Sequence, residues 1–405
     1  MTVDGFASFG GRHPDAAAAR NLLAHAGVVN PFTKRAFTEA AVLGLSGGIG
    51  CGYANCPSIF RHGNGSGVQP VARGWFSWDG GWHRTVFERI GLKPRAVEAS
   101  SPQAGTRKLA DEIAAGRPAL VQWVRGLEYT GHAIDGAGCG SVWAIVVHAI
   151  DVERGTAEVA DLAPSSLEVT VENLETARGT VCTHRNRYFV LDRAPSPAAA
   201  TTARSFLAGA RQCAEGQARP RMKSYSLAGL EQWAQSIDSP RLKDGWLQVF
   251  PGGKLFWALH DLFESVETAG TGGGLMRPLW AEFLEEAAEV TKRAALRACA
   301  KSWRELGEQW TALAEAALPD AVKPFRKARE LLRRWHDAFV REGAKGRGRI
   351  EKARDEFHAL RRELTASSPL GRSDAQALLD DLGRRLRELH RGEKAAFDAL
   401  AAAVR

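Results

Sequence analysis

The sequence has no long uninterrupted apolar run. No stretch approaches the roughly 18 consecutive apolar residues that a membrane-spanning helix needs. Its first residues, MTVDGFASFG, lack the basic segment and apolar run that begin a secretory signal peptide. We therefore expect a cytoplasmic protein that does not associate with membranes.

Cysteine is also scarce, and its spacing shows no pattern of a small disulfide-stabilised scaffold. One metal-site alternative combines Cys51, Cys56 and His62, but these cysteines are spaced more widely than a usual zinc pair. The glycines of GLSGGIG form neither a phosphate-binding loop nor a dinucleotide-binding motif. We therefore predict no metal site and no cofactor. The six cysteines are Cys51, Cys56, Cys139, Cys182, Cys213 and Cys299.

The charged residues show no strong excess of one sign. Lys and Arg number 54 against 46 Asp and Glu, and in the C-terminal half the two signs alternate. Such mixing is typical of solvated helix surfaces, so we predict no nucleic-acid binding. A chain of 405 residues is too long for one ordinary core, so two domains are expected.

The first 195 residues combine helical and strand patterns, which predicts an α+β domain. Two predicted helices end at a glycine in the position of a C-cap, Gly27 and Gly116. The valine- and isoleucine-rich run VWAIVVHAI predicts a buried strand, and TAEVAD after a short turn predicts its hairpin partner. PALVQWV and NRYFVLD predict two further strands, the latter closing the domain.

Beyond residue 200 nearly every segment has apolar residues at helical spacing. Pro319, Pro324, GAKGRG and SSPLG divide this part into separate helices. We predict a domain at 1–195, a helical domain at 196–345 and a helical extension at 346–405. The helices beyond residue 320 have apolar stripes, through which two copies of the chain could form a homodimer.

Several motifs in fixed order resemble a known family. GRHPDAAAARNLLAHAGV, FTEAAVLGLSGGIGCGY, GRPALVQW and VWAIVVHAIDVERGTAEVADLAP are similar to the N-terminal domain of the butirosin biosynthesis protein H family. LAGLEQWAQSI, GWLQVFPGG and SVETAGTGGGLMRPLWAEFLEEAA resemble the helical domain of unknown function that usually follows it. The resemblance implies a papain-like cysteine-protease fold. It also implies an acyltransferase that moves an aminoacyl group from a carrier-protein thioester to an amine.

The catalytic residues of that family are only partly present. Its pattern places a cysteine after the histidine of the RH motif, where a helix N-terminus lowers a thiol pKa and stabilises an oxyanion. This chain has Pro14 there, and Trp143 where the basic histidine would open a strand. Asp161 matches the acidic position. We therefore do not expect an acyl-enzyme mechanism.

Three other groups are candidates for chemistry. His13 and Asp15 flank Pro14, and Asp15 is either an N-cap or, with His13, part of a pair that deprotonates a substrate amine. Cys139 is either a loop cysteine or a replacement nucleophile. His148 is either a packed histidine or a displaced base.

The glycines of TAGTGGG precede a predicted helix that has Arg277 in its first turn. Backbone N–H groups and a guanidinium predict a site for a carboxylate or a pantetheine phosphate. The alternative is a helix corner that requires glycine for close approach. We expect some of the nearby acids to pair with Arg277; these acids are Asp261, Glu264, Glu267 and Glu282.

Two functions follow. One is an amide-forming, acyltransferase-like protein that catalyses direct aminolysis and accepts an acyl-carrier protein, a peptide or a small amine. The other is an inactive member that binds a ligand or partner as a scaffold. The predicted catalytic residues are His13, Asp15 and Asp161. The predicted substrate-binding residues are Pro14, Cys139, Trp143, Thr271, Gly272, Gly273, Gly274 and Arg277.

Overall fold

The computed structural model describes residues 1–55, 66–73, 80–124, 127, 143–179 and 185–405, with only the backbone at 123, 124 and 143. Cys56, His62 and Cys139 lie outside these residues. A β-sheet occupies the N-terminal part and helices make up the C-terminal part, as predicted. None of the helices in the described ranges combines the length and apolar character needed to cross a membrane.

A six-stranded antiparallel sheet organises the N-terminal part, in the order β3-β8-β4-β5-β6-β7. The predicted hairpin is present, with Asp151 of β5 opposite Thr156 of β6. The strand predicted to close the domain, β8, instead lies between β3 and β4. The strands are β1 (Tyr53–Asn55), β2 (Val68–Pro70), β3 (Arg95–Val97), β4 (Ala119–Val124), β5 (Trp143–Asp151), β6 (Thr156–Ala160), β7 (Leu167–Thr170) and β8 (Tyr188–Val190), with β1 and β2 forming a separate pair.

Strand β5 is apolar along most of its length because both faces of the sheet are covered. Ala144 and Val146 belong to the core shared with the C-terminal helices. Ile145 and Val147 belong to a second core on the opposite face. Helix α1 packs against β5, so the sheet fixes the position of the helix start.

The helices of the N-terminal part end where the sequence predicts. Gly27 and Gly116 follow α1 and α4 with φ of +81° and +75°, which glycine adopts without strain. These helices are α1 (Pro14–His25), α2 (Glu39–Leu45), α3 (Gly81–Arg89), α4 (Pro102–Ala114) and α5 (Val171–Gly179).

The C-terminal helices also end at the predicted breaks. α11 ends before Pro319 and α12 begins before Pro324. The helices are α6 (Ala199–Ala218), α7 (Leu227–Ser236), α8 (Trp246–Val249), α9 (Lys254–Glu267), α10 (Arg277–Thr291), α11 (Ala294–Ala317), α12 (Lys323–Glu342), α13 (Arg347–Ala366) and α14 (Arg372–Ala403). One apolar core extends from α1 through these helices to α14.

A tight corner joins α9 to α10, and its glycines allow close approach. A Cβ on Gly274 would lie 2.8 Å from the Gly307 carbonyl oxygen on α11, and one on Gly272 would lie 2.7 Å from the Arg12 Cβ. Thr271 donates its hydroxyl to the Val266 carbonyl at 2.8 Å. These contacts favour the alternative of a helix corner over the predicted anion site.

Arg277 is fully buried and does not face an open anion site. Its Nε donates to the Glu393 carboxylate at 2.8 Å, and its Nη atoms donate to the carbonyls of Leu275 and Gly50. Trp310 donates to the same Glu393 oxygen at 2.7 Å. The expected acidic partners were therefore wrong, because the partner comes from α14, more than 100 residues further along the chain.

We expect Glu393→Gln to lower the free energy of unfolding by about 3–5 kcal/mol, because it leaves the Arg277 charge buried without its counter-ion. Urea denaturation followed by circular dichroism measures this change. Lys394→Gln is the matched control, since Lys394 is exposed and pairs with Asp398 one turn away. An equal decrease in the free energy of unfolding in both variants would contradict a stabilising role for the Arg277–Glu393 ion pair.

Candidate functional site

A cleft lies between the start of α1 and the C-terminal helices. Its walls combine polar groups with large apolar side chains, as in many small-molecule sites. It is lined by Pro14, Asp161, Leu162, Glu264, Thr268, Ala269, Gly270, Leu332, Trp335, His336 and Phe339.

Two residues predicted from the family pattern meet in this cleft. Pro14 is the first residue of α1, and Asp161 directly follows β6. Proline is well suited to the first position of a helix because it needs no N–H there. The Leu162 backbone N–H donates to the Asp161 carboxylate at 2.8 Å. The structure thus brings the nucleophile and acidic positions together, with a proline in place of the nucleophile.

The backbone donors before α1 are already occupied. Glu39, the first residue of α2, accepts from the N–H groups of Arg12 at 2.8 Å and His13 at 2.6 Å. Burial raises the pKa of Glu39, and the two N–H donors oppose that shift. Because its carboxylate uses these donors, they cannot also stabilise an oxyanion on a substrate.

His13, not Asp15, is the N-cap of α1, so the predicted N-cap role of Asp15 was wrong. The His13 Nδ1 lies 2.9 Å from the Gly270 carbonyl oxygen, which places the proton of the neutral ring on Nδ1. Burial and the Arg73 charge hold the His13 pKa well below its ordinary value. His13 thus contacts the corner between α9 and α10, and its side chain does not line the cleft.

Asp15 belongs to a buried polar cluster behind Pro14. Its carboxylate pairs with Arg73 and lies 3.3 Å from the His83 Nε2. Gln122 on β4 lies 2.7 Å from the His83 Nδ1. Asp15 is therefore neutralised by Arg73 and, like His13, does not line the cleft. The predicted role of His13 and Asp15 as bases that contact a substrate is not supported by this placement.

The cleft contains two titratable groups that the sequence analysis did not place in the site. His336 on α12 was not predicted at all, and Glu264 on α9 was predicted only as a partner of Arg277. Burial is the main cause that lowers the pKa of His336, whose ring also hydrogen-bonds to the Thr268 backbone. Burial raises the pKa of Glu264. A neutral imidazole at pH 7 is suited to accept a proton. No motif marks either residue, because each occupies one position of an ordinary amphipathic helix.

Arg12 of the RH motif connects the two parts of the chain. Its guanidinium donates to both carboxylate oxygens of Glu282 on α10, at 2.7 and 2.5 Å. Arg12 and His13 together hold the corner between α9 and α10 against the start of α1. The motif therefore has a structural role in this chain.

The remaining candidates lie elsewhere or are packed. His148 stacks on Phe6 with ring centroids 4.4 Å apart, and burial lowers its pKa to about 4. It is therefore a packed histidine. Cys51 is buried, and burial raises the pKa of its thiol. Trp143 begins β5, opposite Val124 of β4.

We expect the buried His83 to make the protein sensitive to acid. Burial and the Arg73 charge lower its pKa to about 3, whereas an unfolded histidine titrates near 6.5. The unfolded chain therefore binds a proton as the pH falls from 7 to 5, while the folded chain does not. The contribution of His83 to the free energy of unfolding is therefore fully present above about pH 6.5. At pH 5 the free energy of unfolding is lower by about 2 kcal/mol.

Urea denaturation at pH 7 and pH 5 tests this expectation. Between pH 7 and pH 5, the free energy of unfolding of His83→Gln should fall by about 2 kcal/mol less than that of the wild type. Gln122→Leu disturbs the same cluster but keeps the imidazole, so its pH-dependent loss should remain. An unchanged pH-dependent loss in His83→Gln would exclude this group as a cause.

Comparison with known protein families gives two matches. Residues 13–162 match the family described as butirosin biosynthesis protein H, N-terminal, and residues 172–339 match a domain of unknown function (DUF4872). No curated protein matches the chain. The chain therefore carries the N-terminal domain of the butirosin biosynthesis protein H family followed by this second domain, which confirms the resemblance seen in the motifs.

Proposed function

We propose that the protein forms amides in a cytoplasmic biosynthetic pathway, by binding an acyl thioester and an amine together in the cleft. The observation that carries this proposal is that Pro14 and Asp161 line one cleft with His336. The N-terminal family is named for butirosin biosynthesis, which supports a biosynthetic role. The papain-like fold implied by the resemblance is part of the proposal.

The chemistry proceeds without an acyl-enzyme. Pro14 offers no nucleophile, and Glu39 occupies the backbone donors before α1. The substrate amine itself therefore attacks the thioester carbonyl carbon, a C–N bond forms and the C–S bond breaks. His336 accepts the amine proton, which then passes to the departing thiolate. Holding the two substrates in reacting geometry can supply about 7–11 kcal/mol at best.

The apolar wall of the cleft supports a substrate with an extended carbon chain. Leu332, Trp335 and Phe339 come from α12 and lie on the same side as His336. An acyl group or the pantetheine arm of a carrier protein would pack against them, and Asp161 would accept a hydrogen bond from the N–H of the neutral amine. An acyl-carrier protein, a peptide or a small amine is the proposed partner.

A scaffold without catalytic activity is the second candidate. Two observations favour it, the absence of a nucleophile at position 14 and the occupation of the donors by Glu39. In that case the cleft binds the same class of ligand and leaves it unchanged.

We expect His336→Gln to reduce amide formation by about 10²–10⁴-fold, because the proton acceptor is lost. Mass spectrometry of reactions between acyl-pantetheine thioesters and a pool of amines measures the product. Wild-type activity should fall as the pH drops through the His336 pKa, which burial places below the ordinary value. The residual activity of His336→Gln should lack this pH dependence.

His390→Gln, in α14, is the matched histidine control and should keep full activity. Asp161→Asn should raise the KM for the amine more than it lowers kcat. A covalent adduct on any cysteine would contradict direct aminolysis. Ligand-induced thermal stabilisation without product would instead support the scaffold.

A further inference from the structure

One helix presents a cluster of metal-binding residue types that the proposed reaction does not use. His260, Asp261 and Glu264 occupy positions i, i+1 and i+4 of α9. A helix turns once every 3.6 residues, so His260 and Glu264 lie one above the other, and Asp261 lies about 100° around the helix from His260. One ligand atom from each residue lies within 4.8 Å of the other two. We propose that these three residues bind one divalent transition-metal ion, with Zn²⁺ as the best match.

His260 provides the observation that distinguishes this cluster from an ordinary acidic patch. The side chain is 2% exposed, and neither ring nitrogen has hydrogen-bond geometry with any other described residue. The His260 Nδ1 lies 3.1 Å from the Asp261 Oδ1, but the two groups do not align as a hydrogen bond. A buried polar atom without a partner is costly, and a bound metal ion would provide one.

The surroundings hold the imidazole in place. Phe256 and Phe357 each have their ring centroid 5.3 Å from that of His260. A phenyl ring offers no lone pair or N–H group to a ring nitrogen, so these neighbours position the imidazole by packing. A side chain that is already ordered loses less conformational entropy when it binds a metal ion.

Asp261 is fixed by a second contact that leaves one oxygen for the metal. Ser66 donates both its backbone N–H, at 2.5 Å, and its hydroxyl, at 2.7 Å, to the Asp261 Oδ2. The Oδ1 is the atom that faces His260. Outer contacts that orient a ligating carboxylate are typical of metal sites.

The charge balance near the cluster favours a cation with an anionic fourth ligand. Arg361 stacks on Trp257 at 4.3 Å and interacts electrostatically with both carboxylates. Burial raises the pKa of both carboxyl groups, that of Asp261 to about 7, and a bound metal ion requires both to be ionised. The ionised carboxylates together with Arg361 then carry a net charge of −1. A divalent ion and one anion, such as hydroxide or a substrate carboxylate, would return the cluster to neutrality.

The ligand types and the position of the cluster define the site further. One imidazole and two carboxylates suit zinc, whereas magnesium and calcium prefer oxygen ligands alone. Three protein ligands leave one position open, as in catalytic zinc sites. Glu264 also lines the cleft, so the ion would lie at its wall. The site exists independently of whether the cleft catalyses amide formation.

Metal binding to the full-length protein tests the proposal directly. After treatment with EDTA and dialysis, isothermal titration with Zn²⁺ should show one site per chain, and Zn²⁺ should raise the Tm. His260→Gln and Glu264→Gln should each weaken binding at least tenfold and reduce the increase in Tm. Mg²⁺ in the same titration should bind far more weakly.

Two controls separate the cluster from adventitious binding. His390→Gln and Glu351→Gln remove a histidine and an exposed carboxylate away from α9 and should leave the zinc affinity unchanged. Glu264→Gln keeps the buried histidine, so it tests the site even if His260→Gln fails to fold. Absence of stoichiometric binding, or equal binding by wild type and Glu264→Gln, would overturn the proposal.

Discussion

The contact between the α9–α10 corner and the start of α1 determines the shape of the functional region. Arg12 binds Glu282, and the His13 ring contacts the Gly270 carbonyl. Both contacts lie within two residues of Pro14, so they set the distance between the N-terminal part and the C-terminal helices. Together with the apolar core that extends from α1 to α14, this contact brings Asp161 and His336, which belong to different parts of the chain, to one cleft.

The same contact explains why a sequence motif can persist without its usual chemistry. The resemblance assigns the RH motif to the position before a nucleophile, yet here both side chains point into structural interactions. The glycines of the corner between α9 and α10 likewise have a structural role. They permit α11 and Arg12 to approach closely, and they do not surround an anion. Residues that appear catalytic by position are therefore used to join two parts of the fold.

Local patterns predicted the elements well and the site only in part. Helix ends at Gly27, Gly116 and Pro319 depend on backbone conformation within a few residues, which the sequence displays directly. The partner of Arg277 depends on how α14 packs, and four nearer acids offered equally plausible choices. His336 was not predicted, and Glu264 was predicted only as a partner of Arg277, for the same reason. Their importance comes from the cleft they face, and spacing along one helix contains no information about that.

The loss of the nucleophile is consistent with the electrostatics at the start of α1. A thiolate at position 14 would lie next to a segment whose N–H donors already bind the Glu39 carboxylate, and like charges there would repel each other. Proline avoids this conflict and suits the first position of a helix. The polar groups that remain available to a substrate come largely from α9 and α12. In the proposed reaction, the chemistry therefore moves from the N-terminal domain, where the family pattern places it, to the helices that follow.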